Sequence, residues 1–278
     1  MATAYLNRGA TSFAAVNWSD STGFAANAEL VVSDGGSNVT SDVDYNATDI
    51  RFLKISENFS GNIGTAASPL YVDATDGTNA QWSTNAANEG RIEHGGTGSL
   101  FVRSSTGAIA NLMQNGSGNT FLVNGTAVYT RVNAGRFTAE TAATVTNCSV
   151  FGGSATIGAT ATAGTLLEVL GGSCVVNRPY TTINLYSGNL YLDIPDSGSS
   201  NITLNIYGGT ATVVAITTSG TLNVNRYAGL FDPSRARKDI TVATMYTARA
   251  ARFTKLPTGG PKFDITNQYL LDSDAQRI

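Results

Sequence analysis

Charge is scarce in this chain. Of 278 residues only 13% are Asp, Glu, Lys or Arg, and the formal net charge is −3. Helical proteins need charged solvent-facing sides and long unbranched side chains, so a mainly helical fold is excluded. Histidine occurs once, at His94, and cysteine twice, at Cys148 and Cys174. That inventory gives no metal site, and Cys148 and Cys174 read as two small buried thiols rather than a disulfide. His94 falls in Glu93-His94-Gly95-Gly96, which reads as a surface turn. No run of 18 apolar residues occurs, so no membrane helix is expected. The chain opens Met-Ala-Thr-Ala-Tyr-Leu-Asn-Arg without a basic-then-apolar signal, and a soluble protein made in a cytoplasm without export is expected. Phosphate loops and nucleophile motifs are missing. No cofactor, nucleic-acid partner or membrane partner is expected.

What is abundant is glycine, at 30 residues, together with Thr, Ser, Asn and Ala. Such a composition also occurs in disordered chains, but 42% hydrophobic content and regular alternation argue against disorder. The glycines Gly135, Gly153, Gly172, Gly188, Gly209 and Gly229 recur with gaps of 18, 19, 16, 21 and 20 residues. The fifth residue before each is Thr130, Cys148, Leu167, Ile183, Leu204 and Val224, and the third before is Val132, Val150, Val169, Leu185, Ile206 and Arg226. A polar residue always separates them, ending in Asn184, Asn205 and Asn225. This is strand alternation repeated once per unit. The second and fourth followers, such as Phe137 with Ala139 and Leu190 with Leu192, point inward from a second strand. Glycine marks the corner between the two strands. Two positions before glycine stand Phe151, Tyr186, Tyr207 and Tyr227, consistent with stacked side chains. The asparagines read equally well as a ladder or as separate solvated side chains.

Looser strand-like starts at Leu30, Ile50, Leu70 and Arg91 carry a 20-residue period towards the N-terminus, and Gly98 and Gly118 join it to Gly135. A unit of this length is too short for a propeller blade and has no place for a helix. The expected fold is therefore all-β: a single right-handed parallel β-helix of about ten rungs, with three short strands per rung. Residues 1–28 form an N-terminal cap carrying Phe13, Trp18 and Phe24, residues 29–230 the β-helix, and residues 231–278 an irregular basic C-terminal segment. Residues 73–90, with Trp82, read as a projecting loop.

Net charge moves from −6 over residues 1–230 (9 Lys/Arg, 15 Asp/Glu) to +3 over residues 231–278 (8 Lys/Arg, 5 Asp/Glu). Pro233 cannot donate to a ladder and is expected to end the stack. The segment beyond it contains one candidate helix, Val242 to Phe253. It either caps the last rung or grips an acidic partner, and the two roles are compatible. The candidate contact residues are Arg235, Arg237, Lys238, Tyr246, Arg249, Arg252, Phe253, Lys255, Lys262 and Phe263.

Catalysis on a β-helix needs paired carboxylates in register along a groove. Glu140 and Glu168 are out of register, while Asp193 and Asp196 lie in a turn. Asp73 lies one period from Glu93 and shares a loop with Asp76. With no better pair, no enzymatic activity and no catalytic residue is expected.

The charge-poor Gly/Thr/Asn repeats with aromatic turn columns, together with Phe-Ser-Gly-Asn-Ile-Gly (59–64) and Ser-Pro-Leu-Tyr-Val (68–72), resemble structural proteins of tailed bacteriophage particles. The resemblance spans most of residues 13–230. It implies a virion protein on the particle exterior, synthesised in the host cytoplasm and homo-oligomeric, with a trimer favoured. Its partners would be the major capsid protein or other virion proteins. Head decoration (cement) is the first role, through the C-terminal segment. The alternative is a tailspike or tail-fibre type that binds, and less readily cleaves, host surface glycans. Tailspikes are usually longer and carry groove carboxylates, so decoration is preferred.

Overall fold

The computed structural model describes residues 3–7, 9–13, 17–19, 28–40, 50–71, 91–159, 163–194, 200–216, 220–248, 252–253 and 261–271. The chain is an all-β, right-handed parallel β-helix of about nine turns, with no α-helix among the described residues. It divides into two compact units, Met1–Thr146 and Asn147–Ile278.

In the first unit the strands are β1 Thr3–Tyr5, β2 Ala28–Val32, β3 Ile50–Ile55, β4 Leu70–Tyr71, β5 Arg91–His94, β6 Ser99–Gln114, β7 Asn119–Val132 and β8 Arg136–Ala139. One inward column runs Ala4, Leu30, Leu53, Ile92, Leu112 and Thr130 through successive parallel pairings. All six are buried. The 20-residue period does not hold here. Phe52 pairs directly with Arg91, 39 positions later, while Leu70 pairs with Val102 in another column. The strand starts at Leu30 and Ile50 are also offset, because a register shift after Ala28 sets Leu30 against Leu53. Residues 73–90, including Trp82, lie outside the described residues. Long β6 serves two columns, pairing with β7 first at Ser99–Arg103 and again at Ala108–Gln114 across register shifts.

The N-terminal residues fold back across the first rung. Leu6 bridges Trp18 in antiparallel fashion, and the Asn7 amide donates to Asn17 O at 2.7 Å. Phe13 and Trp18 are buried with ring centroids 5.7 Å apart. The indole N–H donates to Phe13 O at 3.0 Å. Phe24 lies outside the described residues.

Strand β9, Ala143–Val150, contains the boundary between the units. The second unit continues with β10 Ser154–Ile157, β11 Gly164–Val169, β12 Ser173–Val176, β13 Tyr180–Leu185, β14 Asn189–Ile194, β15 Ile202–Ile206, β16 Thr210–Ile216, β17 Leu222–Arg226, β18 Leu230–Asp232, β19 Ile240–Ala248, β20 Arg252–Phe253 and β21 Phe263–Leu271. Among the described residues each turn shows two strand columns, where three were expected. Odd strands from β9 to β21 stack in one and even strands from β10 to β20 in the other.

Alternation decides the register, because shifting a strand by one residue would exchange its faces. The inward positions Cys148, Leu167, Ile183, Leu204 and Val224 are buried, as are Val150, Val169, Leu185, Ile206 and Arg226. So are Ala155, Cys174, Leu190, Ala211 and Phe231 in the second column. Each fully buried aliphatic side chain contributes about 1.5–3 kcal/mol. Gly209 shows why the corner is glycine. Its φ is 73°, and a Cβ built there would lie 2.5 Å from Gly188 O in the preceding turn. Elsewhere glycine makes room, since a Cβ at Gly164 would fall 2.2 Å from the buried Tyr180 ring.

Side-chain ladders run outside the core. Asn225 donates to Asn205, and Asn205 to Asn184, each at 2.8 Å. Ser149 donates to Glu168 at 3.1 Å in the same outward column. Beside it Tyr186, Tyr207 and Tyr227 stack with centroids 4.9 and 4.8 Å apart and ring planes within 8°. That separation is the strand spacing itself.

The stack does not end at Pro233. Proline 233 follows β18, where no ladder N–H is needed, and the chain then returns as β19 against β17. The described residues of the candidate helix Val242 to Phe253 are instead strand, in Ile240–Ala248 and Arg252–Phe253, with Ile240, Val242 and Met245 buried. The alternation of Ile240 with Val242, under strand-favouring Thr and Val neighbours, outweighed the helical spacing of Tyr246, Ala250 and Phe253.

Candidate docking surface

Of the C-terminal basic candidates, Arg235, Arg237, Lys238 and Lys262 have described side chains. Arg235, Arg237 and Lys238 are exposed on the connection between β18 and β19. That connection is a tight turn: the Ser234 amide donates to Asp232 Oδ1 at 2.9 Å, and the Ala236 amide to Pro233 O at 2.9 Å. The Arg237 amide fastens it to Val214 O at 2.8 Å. The Arg237 guanidinium is bound in turn by Asp193, Nη2 to Oδ2, at 2.9 Å.

Lys262 is exposed one rung further on, its amide donating to Asp239 Oδ1 at 2.7 Å. Lys238 and Asp239 open onto a cleft of about 590 Å³ whose other walls include Thr221, Thr241 and Thr266. Phe263 is half-buried, with its ring 5.6 Å from that of Phe231. Tyr246 lies six positions along β19 from Ile240, roughly 20 Å at strand rise. It stacks on Tyr269 at 5.1 Å, and both are exposed. Arg252 and Phe253 form β20 against β18; their side chains, with Arg249 and Lys255, lie outside the described residues.

The described charges here are mixed rather than basic. Arg235, Arg237, Lys238 and Lys262 stand among Asp193, Asp232, Asp239 and Asp264. Interactions of such exposed charges are screened by salt. Apolar area comes from β21, the last described strand, where Leu270 occupies the inward column yet is 73% exposed.

The remaining reactive groups are structural in their surroundings. Burial pushes the Cys148 thiol up to about 12, and burial, with Cys148 adding, raises Cys174 well above its usual value. Both thiols are free and stay protonated at neutral pH. Glu93 is paired with Arg91; Asp73, Asp76 and Asp196 lie outside the described residues. No group of three or more metal-ligating side chains occurs among the described residues.

His94 is not a surface turn residue. It is the last residue of β5 and is buried. Its Nδ1 lies 2.9 Å from both Gln114 Oε1 and Thr120 Oγ1, and Gln114 Nε2 donates to Gly116 O at 2.6 Å. Burial lowers its pKa from 6.5 to about 4, against a smaller opposing effect of the Gln114 hydrogen bond. The strand runs through His94, and the bend begins only at Gly96. The signal was present, since His94 is two positions from the inward Ile92. Arg226 is similar: it stands in the inward column and burial lowers its pKa to about 10.

No known protein family, no curated protein and no solved structure matches this chain.

Proposed function

We propose that this chain is a non-enzymatic structural protein of a phage particle, a head decoration protein that docks on the capsid lattice through its C-terminal rungs. The observation that carries this reading is the exposed surface of β19 and β21. There Tyr246, Tyr269 and Leu270 offer apolar area, and the turn bearing Arg235, Lys238 and Asp239 offers charge of both signs. Aromatic anchors beside a charged rim are the usual make-up of a protein interface. The body behind them is a filled stack, suited to reinforcing a lattice rather than to turnover. The docking element is thus a pair of rungs continuous with the solenoid, and not a separate arm. Assembly as a homo-oligomer, with a trimer favoured, belongs to the same proposal.

The test adds purified chain to particles lacking it and counts copies bound by quantitative mass spectrometry. Leu270→Asp and Tyr269→Asp change exposed positions, so the fold should survive and occupancy should fall. Full occupancy by both variants, or binding of only a few copies per particle by the natural chain, contradicts the proposal.

A further inference from the structure

Phe101, far from the C-terminal rungs in sequence, ends an aromatic stack. Its ring lies on that of Phe121 at 4.6 Å and 7°, and the two residues are register partners. On its other side the ladder runs from Ile63 to Leu100, and the Phe101 amide donates to Ile63 O at 2.9 Å. The register therefore sets Gly64 opposite Phe101. Glycine offers no side chain to cover the ring face turned away from Phe121. Gly64 has a φ of 67°, and an added Cβ would crowd the Leu70 N and Ser68 O backbone at 3.0 Å, so no side chain is accommodated there. A cleft of about 330 Å³ lies there, with Phe101, Gly64, Asn38, Asn62, Thr65 and Ser68 in its walls, and no charged residue lines it among the described residues.

The two asparagines are held by their oxygens. Asn38 Oδ1 accepts from the Asn62 amide at 3.0 Å, and Asn62 Oδ1 accepts from the Ser99 amide at 2.8 Å. Because the donors are backbone N–H groups, the accepting atoms must be the carbonyl oxygens. Each NH₂ group is then fixed in orientation, with no hydrogen-bond acceptor for it among the described residues. Thr65 Oγ1 accepts from the Ser68 amide at 3.0 Å, which leaves its own O–H to donate.

We propose that this cleft binds a neutral pyranose. An apolar ring face framed by carboxamide donors and hydroxyls matches a sugar, which presents C–H groups on its face and hydroxyls around its rim. With no Lys or Arg among the described residues of the cleft, uronic acids, sulfated sugars and phosphate esters are disfavoured. The site lies on unit Met1–Thr146 and does not depend on the docking role of β19 and β21.

The test is saturation-transfer NMR and titration of the full chain with the methyl glycosides of glucose, galactose, mannose and N-acetylglucosamine, with glucuronate and adenosine as comparisons. At least one neutral glycoside should saturate in the millimolar range, ahead of glucuronate and adenosine. Phe101→Leu, which keeps apolar volume but removes the ring, should weaken it roughly tenfold. Asn62→Asp keeps an oxygen for the Ser99 amide and removes the N–H donors, so it should also weaken binding while circular dichroism stays unchanged. That second variant decides the matter if Phe101→Leu fails to fold. The proposal is overturned if no neutral glycoside saturates by about 100 mM, if adenosine or glucuronate binds in preference, or if folded Asn62→Asp binds like the natural chain.

Discussion

Asn205 donates its side-chain amide to Asn184 one turn below, at 2.8 Å, while its own oxygen accepts from Asn225 one turn above, also at 2.8 Å. An outward column thereby carries the same repeat as the backbone ladder beneath it. Core and ladder nevertheless contribute unequally. Leu185→Ala or Ile206→Ala should lower stability by about 2–5 kcal/mol through lost burial and a cavity. Asn205→Ala, which removes two exposed-side hydrogen bonds, should cost about 1–2 kcal/mol. Urea denaturation of the three variants checks the order, and equal losses would mean that the columns are misassigned.

The corner glycines make a sharper test of turn geometry. Gly209 has a left-handed φ, and an added Cβ would lie 2.5 Å from Gly188 O. Gly209→Ala should therefore destabilise by about 1–3 kcal/mol or more. A melting temperature equal to that of the natural chain would contradict the stacked-corner arrangement.

Acid should loosen the first unit through His94. Its pKa falls from 6.5 to about 4 on folding because burial disfavours the imidazolium. The unfolded chain therefore binds the proton more tightly than the folded one. The neutral-histidine contribution is complete above pH 6.5, is lost progressively as pH falls from 6.5 to about 4, and is flat below that. The difference of 2.5 units (6.5 − 4) corresponds to about 3 kcal/mol. Its packed neighbours Gln114 and Thr120 are uncharged, and Arg91 and Glu93 pair with each other on the same strand. The check is urea unfolding between pH 4 and 7.5 for the natural chain and His94→Gln. The gap between the two curves should change with pH only in this window, and a constant gap would refute the assignment.

Residues beyond Gly229 belong to the stack. A chain ending there loses the buried side chains Phe231, Ile240, Val242 and Met245 and leaves β17 without β19. It should melt at lower temperature and aggregate, because an open parallel edge is exposed. Unchanged melting would show that these rungs are an appendage.

Much of this fold could be read from the residues, because the repeat is a steric necessity. Wherever glycine turns the corner, the positions five and three before it and two and four after it face inward, from Val132 to Phe231. The tyrosine column followed from the same count. Legibility failed where chain length per turn varied. Between Phe52 and Arg91 the pairing skips a long excursion, and periodicity of side chains carries no information about loop length. It failed again at Pro233, whose turn leads on into β19 instead of ending the stack, and at His94, which closes β5 although two glycines follow it. The candidate contact residues were legible only as a list. Pairing placed Arg237 on Asp193 and separated Lys238 from Tyr246, and neither relation is encoded by local spacing.

The most direct measurement is a cryo-electron-microscopy reconstruction of phage particles saturated with this chain. The account predicts lattice-wide occupancy, with β19 and β21 against the shell and the turn Arg235–Asp239 at the contact. Density confined to the tail, or attachment through the Phe13–Trp18 end with β21 facing solvent, would contradict it.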